Sequence, residues 1–302
     1  MKLKLGINAG FAINRFPEPD VWLKIVGKDL GLHYVQFVAD LLNPFLPERW
    51  IRSQIERINE NAKRYDVKID TTFTSAFTRV NHLMHPDAEV REIWFEWFKR
   101  FFAISRDLGV RGSGSHFGIM SVRDFNNLER REYLFSQAIE YWQELSRYGA
   151  NLGFKFLMFE PMSVPRECGA TISQTEELLE KLNRDIPIPI LLCLDVDHGD
   201  IGSLDPKDRD PYVWLEEFGR VSPVVHIKQS LADKSGHWPF INRYNELGII
   251  HPERVIDALE RSGANDVVLT FEISHRERYP TEYQVLNDLK ESVEYWRRYV
   301  KD

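Results

Sequence analysis

The chain has 302 residues, with 39 Lys and Arg against 46 Asp and Glu, a formal net charge of -7, 43% hydrophobic and 13% aromatic residues. That apolar and aromatic content excludes a disordered chain and a fibrous one. The surplus of carboxylates gives no long-range attraction for a phosphate backbone, so nucleic acid is not an expected partner.

In chain order, short β-type runs alternate with segments of helical period. The first two runs are 3–7 and 34–38, and Ile51, Ile55, Ile58 and Ala62 then mark the first clear apolar helix stripe. After a run at 67–71, Asp87 stands as an N-cap before Val90, Trp94, Trp97, Phe101, Ile104 and Leu108, and Gly109 stops that helix. The run 110–115 leads to Leu134, Ala138, Tyr141, Leu145 and Tyr148, with Gly153 as the stop. Runs at 154–159, 190–194, 224–227 and 267–271 follow, and Leu286, Leu289, Val293, Trp296 and Val300 close the pattern. Intervals of three and four put one apolar stripe on each helix. Trp94, Trp97 and Trp142 are read as core, and Lys99-Arg100 and Arg130-Arg131 as solvated helix faces.

Eight strand candidates with starts 31 to 44 residues apart are the arithmetic of an α/β fold of the (β/α)8 TIM-barrel type, a single domain over 1–302. A doubly wound sheet would alternate too, but its Gly-rich first turn is missing from NAGFAINRF. The longest irregular stretches, 39–48, 161–170 and 229–247, all follow strands and are expected on the C-terminal rim, where barrels bind substrates. No apolar run approaches the roughly 20 residues of a bilayer span, and the start MKLKLGINAGF lacks the core and cleavage site of a signal peptide. A soluble, cytoplasmic protein without a membrane partner is expected. Cys168 and Cys193 cannot build a disulfide framework and are read as buried small hydrophobes.

The informative residues terminate the last four strands. KFLMFE ends in Glu160, ILLCLD in Asp195, PVVHIK carries His226, and VVLTFE ends in Glu272. Asp, Glu and His total 55 of 302 residues, so finding one at all four positions by chance is on the order of one in a thousand. Neighbouring parallel strands lie about 4.8 Å apart, so four such side chains at one level converge. Carboxylates and an imidazole at the ends of apolar strands are poorly solvated and repel unless a cation neutralises them. The donor set suits one divalent metal ion, Mn²⁺ first, with Mg²⁺, Co²⁺ or Zn²⁺ as alternatives. The competing reading is a ring of rim carboxylates paired to Arg or Lys.

Around this cluster, His116, His198 and Lys228 are candidates to hold a substrate. Gly112, Gly114 and Gly118 match neither a P-loop nor a dinucleotide fingerprint and are read as turn glycines. His82, His85, His237, His251 and His275 are read as scattered surface residues. Phe11, Phe73 and Trp238 are candidate walls of a sugar-sized pocket.

The segments FEPMSVPRE, LDVDHGD, VVHIKQ and LTFEIS resemble those of the xylose isomerase-like TIM-barrel superfamily, as does HPDAEVRE at 85–92. That superfamily includes sugar isomerases, ketose 3-epimerases, hydroxypyruvate isomerase and the endonuclease IV type of repair enzyme. The resemblance implies that Glu160, Asp195, His226 and Glu272 hold the metal. It further implies that Glu160 and Glu272 act as a paired acid and base in a small aldose or ketose isomerase or epimerase, and that His198 touches substrate. Two departures separate the chain from the ketose 3-epimerases. Their further glutamate falls at Arg166, with Glu167 one residue on, and their arginine after the strand-seven histidine is replaced by Lys228 and Lys234. Arg166 therefore joins the substrate-binding candidates. The segment EPMSVPRE looks more like that of pentose or tetrose isomerases, including those for the branched sugar apiose. The alternative, a metal-dependent phosphodiesterase acting on abasic DNA, would need extra histidines, for which only His237 and Asp233 offer a partial substitute. Partners are a small sugar or sugar phosphate, with a homo-oligomer left open.

Overall fold

A computed structural model describes residues 1–75, 78–232 and 234–301. Asp233, one half of the substitute set for the phosphodiesterase reading, lies outside the described residues. Eight parallel strands close a barrel: β1 (Lys2–Asn8), β2 (Tyr34–Val38), β3 (Lys68–Phe73), β4 (Gly112–His116), β5 (Phe156–Glu160), β6 (Ile190–Asp195), β7 (Val224–Ile227) and, last in sequence, β10 (Asp266–Phe271). Each lies within a few residues of its expected position because every run is apolar, short and bounded by a helix stop or turn. The intervening β8 (Gln229–Leu231) and β9 (Lys234–Trp238) form an antiparallel hairpin. The stretch 229–247, expected to be irregular, thus carries regular elements among its described residues, including a short helix, α8 (Asn242–Asn245).

The major outer helices are α2 (Glu48–Arg64), α3 (Ala88–Asp107), α5 (Leu128–Asn151), α6 (Ile172–Leu182), α7 (Pro211–Phe218), α9 (Pro252–Arg261) and α10 (Val285–Trp296), with two short ones, α1 (Pro19–Lys24) and α4 (Val122–Phe125). Asp87 caps α3 by accepting from the Glu89 N–H at 2.9 Å. Gly109 and Gly153 adopt φ of +74° and +85° just past α3 and α5, the left-handed conformation that ends a helix. The stripe of α3 is wider than its predicted positions, since Phe98 and Phe102 are buried beside Trp97 and Phe101.

Two packing layers result. Outward strand faces and helices share one large core, while Phe73, Phe156, Met158, Cys193 and Val224 form a separate cluster filling the barrel interior. Side chains on a strand alternate, so residues two or four positions beyond this plug share its face. Glu160 follows Met158, Asp195 follows Cys193 and His226 follows Val224 by that interval, which aims all three into the mouth. Gly112 and Gly114 make room for the plug. They lie within β4 rather than in turns, and a Cβ on Gly114 would come within 2.6 Å of the Phe73 ring.

His82 and His275, expected at the surface, are buried. His275 is held at 2.8 Å by Asp288. His82 sits edge-on to Trp94 and Phe98, with centroids 4.6 Å and 5.4 Å away, and neither ring nitrogen has a hydrogen-bond partner among the described residues. Burial drives its pKa down to about 3. Between pH 6.5 and that value the unfolded chain holds a proton that the folded chain refuses, so stability falls as pH falls, by roughly 1.4 kcal/mol per unit from this group. Urea denaturation should show wild type losing about 2 kcal/mol more than His82→Phe between pH 7.5 and 5. Equal losses would remove the assignment.

Candidate active site

Glu160 ends β5, Asp195 ends β6, His226 is the third residue of β7, and Glu272 follows β10 directly. The sheet register pairs His116 with Glu160 and Asp195 with His226. The Glu272 N–H donates to the Ile227 carbonyl at 3.1 Å, carrying the β10 pairing one residue past the strand. The outcome is a tight group. Glu160, Asp195, His226 and Glu272 each offer one donor atom, and all four lie within 4.8 Å of one another. His226 Nδ1 stands 3.0 Å from Glu160 Oε1, 3.5 Å from Glu272 Oε2 and 3.9 Å from Asp195 Oδ2.

A second layer orients the imidazole. His226 Nε2 lies 2.7 Å from Gln36 Oε1, which also accepts from Asn8 Nδ2 at 2.9 Å. With Nε2 protonated toward Gln36, loss of the Nδ1 proton leaves its lone pair directed at the carboxylates, as a metal-binding imidazole requires. Cys193 lies 3.3 Å from the same Nε2, and the edge of Phe73 packs on both His116 and His226. Sequence reasoning passed over Gln36 and Asn8. Their signal was a polar residue inside or ending an otherwise apolar strand.

The flanking candidates divide. His116 Nε2 is 3.4 Å from Glu160 Oε2, while His198 reaches both Glu160 at 3.6 Å and Asp195 at 3.5 Å. Lys228 is fully buried and donates to Asp195 and, at 2.8 Å, to Glu272. His237, expected at the surface, belongs here: the β8–β9 hairpin brings its Nε2 to 2.8 Å from Lys228 Nζ and 3.5 Å from Glu272 Oε2. Arg166 is not brought to the group. Its guanidinium donates to the Met120 carbonyl, and its own carbonyl accepts from the Met120 N–H at 2.9 Å. The neighbouring Glu167, 1% exposed, is instead gripped through both oxygens by Arg79.

Charge is distributed unequally. Burial pushes the Glu160 carboxyl up, but His198 and His226 outweigh it and hold it at about 2. Burial likewise opposes ionisation of Glu272, yet His226 and Lys228 pull it well below the usual range. Asp195 goes the other way, raised well above normal by burial and by Glu272 and Glu160 in spite of Lys228. Burial disfavours the His226 imidazolium, but the surrounding acidic groups prevail and its pKa rises well above normal. Such a group holds protons that a dication would replace, and its three carboxylates and one imidazole are a hard-to-borderline donor set. The residues therefore fit a divalent metal.

Glu272 and His237 also line a cavity of about 880 Å³. Its walls include Phe11 and Trp238, two of the expected aromatics, whereas Phe73 lies in the plug beneath. Four cationic side chains border it: Arg15, Arg79, Lys234 and Arg276. Arg15 is held by Glu282 and the His275 carbonyl, while Arg276 lies over the Tyr279 ring.

With eight strands and this mouth in view, the chain belongs to the xylose isomerase-like TIM barrel family, whose profile matches residues 26–299. It falls among the enzymes that isomerise or epimerise carbohydrates. A D-erythrulose 1-phosphate 3-epimerase of Brucella abortus (strain 2308) is 37% identical over 99% of this chain and 97% of its own length. The crystal structure of a putative xylose isomerase from Rhodospirillum rubrum ATCC 11170 superposes with a TM-score of 0.87 at 26% identity, covering 98% of this chain and 99% of that one. D-psicose 3-epimerase from Clostridium cellulolyticum H10, solved with D-tagatose, shares the fold at a TM-score of 0.71 and 14% identity, covering 99% of each chain. The departures at Arg166 and after His226 thus coexist with 37% identity to a 3-epimerase.

Proposed function

We propose that the chain is a divalent-metal-dependent 3-epimerase of a short phosphorylated ketose, a tetrulose 1-phosphate in preference to the branched pentose apiose. The convergence of Glu160, Asp195, His226 and Glu272 within 4.8 Å at the barrel mouth carries the metal-dependent part, and the 37% identity to a D-erythrulose 1-phosphate 3-epimerase supports the reaction and the phosphorylated tetrulose. Those four would hold the ion, with Mn²⁺ the first choice for such a donor set. When bound, the ion supplies electrostatic stabilisation of the negative charge that develops on the substrate oxygens.

The protein's own groups handle the proton. Glu160 and Glu272 come from strands separated by β6 and β7 around the barrel, so they approach a bound ketose from two sides. Both are held as carboxylates by the imidazoles beside them, the state from which a base begins. One carboxylate removes the proton from C3, while the other, having first taken a proton from solvent, delivers it to the opposite face, and the first then releases its proton to solvent. His116 and His198, each within reach of Glu160, orient the substrate oxygens. Phe11 and Trp238 wall the cavity and limit water at the reacting carbon. Lys234 and Arg276 border the cavity as cations that could meet a substrate phosphate, beside the carboxylates of Glu277 and Asp288 on the same wall.

The substrate chemistry narrows the reaction. A ketose carrying phosphate on C1 has no free hydroxyl there, so the ordinary ketose-to-aldose shift through C1 is closed. Proton transfer at C3 remains. D-erythrulose 1-phosphate incubated with the Mn²⁺-loaded enzyme in deuterium oxide should yield its C3 epimer with deuterium at C3, followed by NMR. Absence of C3 exchange with both the phosphorylated and the free tetrulose would overturn the proposal.

A further inference from the structure

We infer that the substrate's phosphate is recognised by Arg79, whose guanidinium is aimed by the buried carboxylate of Glu167 and joined by the Ser75 hydroxyl. This rests on the phosphorylated-ketose reading above and names the wall of the cavity that makes the enzyme specific for a phosphate monoester. Arg79 and Ser75 both line the 880 Å³ cavity. Glu167 is buried, and both its oxygens are engaged by the arginine. Arg79 Nε donates to Oε1 at 2.9 Å, and Nη2 lies 2.6 Å from each oxygen. A guanidinium carries five N–H donors in one rigid plane. Holding its Nε and Nη2 edge therefore fixes the direction of Nη1, which makes no hydrogen bond among the described residues. Two aligned donors are left, and phosphate oxygens suit such a fork.

Ser75 adds an independent sign of a ligand. Its Oγ is buried with no hydrogen-bond partner, a costly state that a bound acceptor would relieve. The surrounding turn is closed on itself, because the Ser75 N–H donates to Thr78 Oγ1 at 2.9 Å and the Ser75 carbonyl accepts from the Thr78 N–H at 3.1 Å. Charge also selects this wall. The carboxylates that line the cavity, Glu272, Glu277 and Asp288, all follow β10, whereas Ser75 and Arg79 follow β3, which β1 and β2 separate from β10 around the barrel. Arg276 is next to Glu277 in the chain, so an anion there meets an acid as well. The Arg79 and Glu167 pair is neutral as a whole and acts through oriented donors, while Lys234 and Arg276 attract an anion at longer range. Arg79 is also near the reacting groups. Burial lowers the His116 pKa, Glu160 opposes this, and the Arg79 charge is close enough to lower it further.

The test compares D-erythrulose 1-phosphate with free D-erythrulose on Mn²⁺-loaded wild type, Arg79→Lys, Glu167→Gln and Arg79→Gln/Glu167→Gln. The double variant leaves no unpaired buried carboxylate behind. Its preference for the phosphorylated ketose, the ratio of the two kcat/KM values, should fall about 10- to 100-fold, through KM, as expected for lost charge-assisted hydrogen bonds. Glu167→Gln keeps the arginine but not its aim, and should lower the same ratio by a smaller factor. Arg79→Lys keeps the charge without the fork and should fall between the two; it carries the comparison if the double variant does not fold. Calorimetric titration with inorganic phosphate gives a readout without turnover, and the double variant should bind about tenfold more weakly. An unchanged ratio, or a larger fall in Arg276→Gln or Lys234→Gln, would overturn the inference. Wild type that binds phosphate through Arg79 yet epimerises neither ketose would instead defeat the functional reading and leave the phosphate site standing.

Discussion

Glu272→Gln and Glu160→Gln should each lower kcat for epimerisation by about 10²- to 10⁴-fold, the range for removal of a general acid or base. KM should move little, because glutamine keeps the length and one oxygen of the side chain. The decisive observation is how exchange and turnover separate. If each glutamate serves one face of C3, a variant lacking one base still removes and returns the proton on the remaining face. It then washes deuterium into one epimer without converting it, and leaves the other epimer untouched. Glu160→Gln and Glu272→Gln should show opposite preferences. Loss of exchange from both epimers in both variants, with metal content and circular dichroism unchanged, would indicate a shared electrostatic role in place of two bases. Undiminished turnover in either variant would remove its residue from the mechanism.

Much of this site was legible because strand ends are local features of the sequence. An apolar run ending in Glu160 or Asp195 states both the strand and the level at which its carboxylate emerges, and barrel closure brings those levels together. Gln36 was harder to assign. Its value lies in meeting His226 across the barrel, a contact between residues 190 positions apart. His237 was missed for another reason: its reach depends on the β8–β9 hairpin, where the residue takes φ of +48° and Gly236 gives way to the Trp238 ring. Arg166 shows the converse case. The resemblance to the ketose 3-epimerases placed it among the substrate-binding candidates, whereas in the structure its guanidinium donates to the Met120 carbonyl, and Arg79 pairs with Glu167 at that side of the mouth. Residues on strands follow from periodicity, whereas residues on rim loops depend on long-range packing that one sequence does not spell out.

Removal of the metal should abolish turnover and soften the fold together. Four of the groups at the mouth are acids or imidazoles within 4.8 Å of each other, and without a dication only Lys228 and bound protons offset the three carboxylates. Chelation followed by desalting is expected to leave about 1% of activity or less, with Mn²⁺ or Co²⁺ restoring it. An ion that binds the folded chain alone, present at 100 times its Kd, adds about 2.7 kcal/mol of stability, so the melting temperature should rise on reloading and provide a readout independent of turnover. The pH dependence has a fixed sign. His226 and Asp195 are both raised above their ordinary values, and both must be deprotonated to serve as ligands, so binding releases protons and affinity weakens as pH falls. The Mn²⁺-induced rise in melting temperature should therefore be larger at pH 8 than at pH 6. A chelated protein shown by elemental analysis to be metal-free, yet fully active and unchanged in melting temperature, would leave the four converging side chains as a self-contained ion-pair network.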